Sequence, residues 1–201
     1  MPTSSERRAS GGPVLQDAVT DAIMTAMFEE LAAVGYGKLS VEAVAKRAGA
    51  GKAAIYRRWP SKQAMVIELV TQVAIRTADD PDTGSLRGDL RAFLAAAEAG
   101  LRHPLASRII PDLFAESGRT PELAEAMRPR ISQVRREQAG ALLQRAVERG
   151  ELSADLNVPL ALDFLVGPLY WRLTVLAAPT DPDYLDQLTD MLLTAFGAGA
   201  A

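Results

Sequence analysis

Residues 46–62 read KRAGAGKAAIYRRWPSK, with six Lys or Arg side chains and no Asp or Glu among them. Cations at that spacing can cradle a nucleotide phosphate, meet the phosphates of a duplex, or form a solvated face. The "GAGK" within the run invites the first reading. A phosphate-binding loop of the G-x-x-x-x-G-K-[ST] type needs glycine at both ends of the loop and a hydroxyl after the lysine. With Gly51 and Lys52 as the pair, Lys46 takes the first glycine position and Ala53 the hydroxyl position. Both requirements fail, and no strand pattern precedes the stretch. Chemistry of other kinds has few residues to draw on. The chain has no cysteine and a single histidine, His103. Thiolate metal sites, cysteine nucleophiles and disulfides are excluded, and any histidine-based triad or metal cluster would have to be built on His103 alone. No catalytic residue, metal or cofactor is expected, and His103, just before Pro104, reads as a loop or helix-end residue.

The charge distribution favours the duplex reading. The net charge of the 201 residues is −3, yet the segment through Lys62 carries nine basic residues against six acidic ones, leaving 13 against 19 beyond it. A basic N-terminal patch on an acidic body is the footprint of a surface that meets polyanions. The first residues lack the apolar core of a signal peptide. The greasiest stretch, residues 160–176, is broken by Asp163, Pro168 and Arg172, so no membrane span and a cytoplasmic location are expected.

The elements that would hold the basic run are helical. Residues 1–13 are polar and rich in Ser and Gly, which predicts a disordered tail. Leu15, Val19, Ile23, Met27 and Leu31 recur every four residues, predicting a helix ended by Gly35 and Gly37. Ser40 is placed to cap a short helix carrying Val41, Val44 and Ala45 inward until Gly49 breaks it. A second short helix covers residues 52–59, stopped by Pro60, and Ser61 caps a longer one. Residues 40–59 therefore read as helix, tight turn, helix. Beyond residue 79 the pattern stays helical. A kink is expected at Pro111, a cap at Thr120, a stop at Gly150, a kink at Gly167 and Pro168, and a cap pair at Thr180 and Asp183. The last helix should place Tyr184, Leu188, Met191, Leu192 and Phe196 on one face. The pattern predicts an all-α chain, a basic helix-turn-helix on an acidic helical body.

As a recognition helix, the second short helix makes physical sense. Small residues at its start, Gly51, Ala53 and Ala54, allow close approach to base edges, Lys52 can reach guanine acceptors or phosphate, and Tyr56, Arg57 and Arg58 lie where phosphate oxygens would be met. Ile55 and Trp59, four apart, can pack inward.

The segment GYGKLSVEAVAKRAGAGKAAIYRRWPSKQAM resembles the DNA-binding domain of the TetR family of bacterial transcriptional regulators, whose pattern runs G-[FY]-x-x-[TS]-[TSV]-x-x-[IV]-A-x-x-A-G-V-S-x-x-[TA]-[LI]-Y-x-[HYR]-[FW]-x-x-K. The resemblance implies an N-terminal three-helix DNA-binding domain over 14–77 and a helical domain over 78–201. It also implies that Ser40 and Val41 open the first helix of the motif with Ser40 at phosphate, that Lys52, Ala53 and Ala54 face bases, and that Tyr56, Arg58 and Lys62 bind the backbone. Ala50 and Gly51 stand where the family often has Val-Ser, and Ala54 where Thr is common. The C-terminal part is similar to a helical ligand-binding and dimerisation domain. That likeness implies a homodimer through the last two long helices, and a small-molecule effector of apolar or aromatic character. Phe93, Leu94, Arg102, His103, Phe114, Phe164, Tyr170 and Trp171 are the residues expected to line its cavity. The whole then reads as a ligand-responsive repressor on a palindromic double-stranded DNA operator. The alternatives are a basic-patch module for an acidic protein or membrane surface, and a helical enzyme.

Overall fold

The computed structural model describes residues 13–76 and 80–198. Among them are helices α1 (Pro13–Lys38), α2 (Val41–Ala48), α3 (Lys52–Arg58), α4 (Lys62–Arg76), α5 (Leu86–Arg102), α6 (Ala106–Arg119), α7 (Pro121–Glu148), α8 (Val158–Tyr170) and α9 (Pro182–Ala195), with a π-helical turn over Trp171–Val175 and no strand. The tail expected over residues 1–13 lies outside the described residues, except that Pro13 opens α1. The chain divides into two compact units, Met1–Val66 and Ile67–Ala201, so the division falls inside α4.

In the first unit the four-residue recurrence of α1 buries Ile23, Met27 and Leu31, while Val19, expected beside them, is exposed. Ala26 joins them in the core at 3% exposure. Gly35 breaks the helical path at φ 75° and ψ 165°, a conformation costly for any residue with a Cβ. α2 packs on α1, and Arg47 ties them together by pairing with Glu29 at 3.4 Å and Glu30 at 2.9 Å.

The second unit is built around α5, whose Leu86, Leu90, Phe93, Leu94 and Ala97 share a core with α7, α8 and α9. Asp89 is fully buried on this helix. It accepts from the Thr83 amide at 2.6 Å, the Thr83 hydroxyl at 2.8 Å and Arg149 at 2.9 Å. Burial pushes the Asp89 carboxyl up, but these three donors outweigh it and hold it below the ordinary carboxylate value. With Arg145 on Asp80 at 2.7 Å and Glu151 on the Leu86 amide, residues 80–86 are fastened to the C-terminal end of α7.

α6 is one helix with Pro111 inside it. Several other local expectations need correction. Thr120 stands at the N-cap position of α7, but its hydroxyl donates to Glu116 at 3.0 Å, because the same residue also ends α6. The N-cap of α9 is Asp181, which accepts from the Tyr184 amide at 2.8 Å, whereas Thr180 is drawn away to Glu98. Met191, expected on one face of α9 with Leu188 and Leu192, is 70% exposed where those two are buried. α8 continues through Gly167 and Pro168 and then widens into the π turn, where the Leu176 amide donates to the Trp171 carbonyl at 2.9 Å. The window Val158–Val175 has a mean hydropathy of 1.2, and by length and composition alone it is apolar enough to cross a membrane in spite of Asp163, Pro168 and Arg172. Leu165 and Leu169 in that window are buried in the core of the second unit.

Candidate nucleic-acid interface

The placement of the basic run begins with two helix ends. The Ser40 side chain accepts from the Ala43 amide at 3.1 Å and caps α2. At the other end Gly49 adopts φ 62°, ψ 23°, and its amide reaches the carbonyls of Ala45 and Lys46. A left-handed residue there turns the chain sharply enough for α3 to start three residues later. Gly51, the N-cap of α3, lies at φ −73°, ψ 137°, and has no side chain to offer its helix a hydrogen bond.

α3 is locked by its buried face. Ile55 is 1% exposed and Trp59, at its C-cap, 2%. The indole N–H of Trp59 is buried with no hydrogen-bond partner among the described residues, so the ring is held by packing alone. With that face inward, Gly51, Lys52, Ala53, Tyr56, Arg57 and Arg58 are exposed and Ala54 is half-buried. The expected contacts of α3 are thus open to solvent, Ala54 only in part. Ser40 is half-buried at the start of α2, and Val41 is buried. Val41 therefore holds α2 in place and offers no side-chain atom to a duplex. Lys62 is half-buried: its ammonium donates to the Tyr36 carbonyl at 2.8 Å and lies 4.5 Å from the centre of the Tyr36 ring.

One member of this surface was not among the expected contacts. Glu42, in the first turn of α2, forms an exposed ion pair with Lys52. The bond to Lys52 holds the Glu42 carboxyl below its ordinary value, and the same bond holds the Lys52 ammonium above its own. The only signal in the sequence was an acid ten residues before Lys52, across a turn whose geometry composition alone does not give.

The residues expected around an effector do not all meet. Phe93 and Leu94 belong to the buried core of the second unit. Phe114 and Tyr170 pack edge to face with centroids 5.7 Å apart, and burial pushes the Tyr170 hydroxyl up. Phe164 and Trp171 are 47% and 57% exposed. His103 ends α5, and its Nδ1 accepts from the Leu105 amide at 3.3 Å. Arg102 is exposed and donates to Glu98 at 3.2 Å and Thr180 at 3.3 Å. Of these eight, Arg102 alone borders a shallow concavity of about 330 Å³ shared with Leu101, Ser107, Leu173, Ala177, Ala178 and Pro179.

This arrangement matches known proteins at both ends of the chain. Residues 23–69 match the family model described as "Bacterial regulatory proteins, tetR family", and residues 80–192 match "Tetracyclin repressor-like, C-terminal domain". The chain is 30% identical over 178 residues to the uncharacterised HTH-type transcriptional regulator YdeS of Bacillus subtilis strain 168, covering 87% of this chain and 86% of that protein. It is 31% identical over 181 residues to the DNA-binding transcriptional repressor TetR of Mycobacteroides abscessus, covering 89% and 94%. The solved structure of the TetR family transcription regulator SCO0332 superposes with a TM-score of 0.71 at 32% identity, covering 88% of this chain and 97% of that one. A capped helix, a left-handed glycine turn and a cationic helix face lie within the stretch matched by the first family model, and with the match of the C-terminal unit and the identity to these relatives they place the chain in the TetR family of DNA-binding bacterial transcriptional regulators.

Proposed function

We propose that this regulator is a cytoplasmic, homodimeric repressor that reads a palindromic operator and releases it when a small molecule binds. Residues 14–77 form the DNA-binding domain in this reading and residues 78–201 the effector-binding and dimerisation domain. The observation that carries it is the α3 surface: Lys52, Tyr56, Arg57 and Arg58 exposed together on a helix whose other face is buried by Ile55 and Trp59. Lys52, Ala53 and Ala54 meet bases, Tyr56, Arg57, Arg58 and Lys62 meet phosphates, and Ser40 adds a hydroxyl beside them. The relative from Mycobacteroides abscessus, a repressor by name, supports the direction of control.

Pairing of two protomers is supported by the apolar side chains that α8 and the π turn leave in solvent: Leu160, Phe164, Trp171 and Val175 are each between 47% and 57% exposed. A second copy covering them makes a dimer with two α3 helices, and the half-sites that such a pair reads lie about one turn of DNA apart, or a multiple of it. The effector is apolar or aromatic and acts by population shift. To weaken operator binding about 100-fold it must favour the non-binding conformation by about 2.7 kcal/mol. Nothing in the reading calls for turnover of that molecule.

The test is selection of duplexes by the purified protein from a genomic pool. Enrichment of a two-fold symmetric site upstream of a gene is expected. Retention of scrambled and native duplexes with equal affinity would favour a general polyanion-binding surface instead.

A further inference from the structure

We infer that Glu42 and Lys52 act as one reading unit, and that the pair selects a G·C base pair in each half-site of the operator; the inference rests on the proposed docking of α3 in the major groove. Glu42 lies in the first turn of α2 and Lys52 is the first residue of α3, and their side chains are joined by an ion pair. Both remain at least half exposed, at 60% and 50%, so the pair faces solvent and is not a buried strut. It sits at the edge of the α3 surface that carries Tyr56, with the Lys52 ammonium 5.7 Å from the centre of that ring.

An ammonium has three N–H donors. One goes to Glu42, which leaves two donors and, beside them, the free lone pairs of a carboxylate. The major-groove edge of G·C offers two adjacent acceptors, guanine N7 and O6, followed by one donor, the cytosine N4 amino group. The bond between Lys52 and Glu42 can lie parallel to the bond between guanine O6 and cytosine N4. Both ammonium donors then find acceptors and the carboxylate finds a donor. An A·T edge places its amino donor between its two acceptors, so the ammonium reaches only one of them. The carboxylate also keeps Lys52 from the nearest phosphates, because a phosphate approaching the ammonium meets the Glu42 charge. Glu42 therefore gives up some general affinity for duplex and gains discrimination.

The wild-type protein, Glu42→Ala and Glu42→Gln are each used to select from a random duplex pool, with thermal unfolding as the check that all three fold. The wild-type pool is expected to show a G·C pair at one symmetric position per half-site. In the Glu42→Ala pool that preference should fall roughly tenfold, with the other positions unchanged. Glu42→Ala should also bind a scrambled duplex more tightly and with a steeper salt dependence, since Lys52 is released to phosphate. Glu42→Gln, which keeps an acceptor but not the charge, is expected to keep part of the preference and show the same tighter binding. Wild-type and Glu42→Ala pools with the same base frequencies at every position would overturn the inference and leave the DNA-binding reading standing. A wild-type pool without any enriched sequence would overturn both.

Discussion

The Lys62 ammonium is bound to the residue that follows the glycine break in α1: it donates to the Tyr36 carbonyl at 2.8 Å and lies over the Tyr36 ring at 4.5 Å. The first residue of α4 thereby pins the end of α1, and two ammonium donors remain for a phosphate. Lys62→Met keeps the stem and removes both contacts. It should lower stability by about 1 kcal/mol, seen as a lower denaturant midpoint. It should also reduce the logarithmic salt slope of operator binding by about 0.9, the share of one phosphate contact. An unchanged midpoint would remove the pinning role, and an unchanged slope the phosphate contact.

The turn between α2 and α3 predicts opposite outcomes at its two glycines. A Cβ at Gly51 meets nothing within 4 Å, and its backbone is ordinary extended chain, so Gly51→Ser fits and supplies the missing cap. A gain of a few tenths of a kcal/mol in thermal unfolding is expected. Gly49 has equally open space but a φ of 62°. Gly49→Ala should cost about 1 kcal/mol, and a neutral result there would contradict the left-handed turn.

Asp89 makes a pH prediction. Its carboxyl is held below the ordinary value in the folded chain, against the push of burial, by Thr83 and Arg149. A depressed folded value means stability that is fully present above the unfolded carboxylate value of about 3.9 and lost as pH falls through the folded one. Asp89→Asn should cost about 2 kcal/mol at pH 7, and the gap to the wild type should narrow as pH is lowered from 5 to 2. Urea titrations across that range provide the measurement; a gap independent of pH would mean that the carboxylate charge contributes nothing.

The exposed apolar residues of α8 and the π turn predict a variant that folds and fails to pair. Phe164→Glu changes a side chain that is 47% exposed, so its circular dichroism and melting as a protomer should match the wild type. Sedimentation is expected to find it monomeric, with operator affinity reduced by at least about tenfold through loss of the second half-site. Trp171 reports the same event by light: it is 57% exposed where Trp59 is 2% exposed. Its emission should shift to the blue as the wild-type protein is concentrated, and a spectrum independent of concentration would count against this face.

Much of the first unit was legible because its signals are local. Ser40, Gly49 and Pro60 each act within a turn of their own position, and Ile55 and Trp59 declare their shared face by spacing. What escaped depends on partners far along the chain. Thr120 and Thr180 both have the chemistry of a cap, but each hydroxyl is taken by a glutamate, Glu116 and Glu98. Met191 continues the apolar period of α9 yet points away from the core, since an apolar period does not say which of several neighbours covers it. Glu42 and Lys52 are ten residues apart and meet only because Gly49 turns the chain.

The side chains left in solvent by Leu160, Phe164, Trp171 and Val175 also bear on dosage. Under the proposed pairing, while protomers are scarce and mostly separate, the amount of operator-competent dimer grows as the square of protomer concentration. Halving the supply then cuts occupancy fourfold, and above the pairing threshold the dependence relaxes to simple proportion. The abundance of the regulator becomes an input in its own right, set by the same apolar faces that hold two copies together.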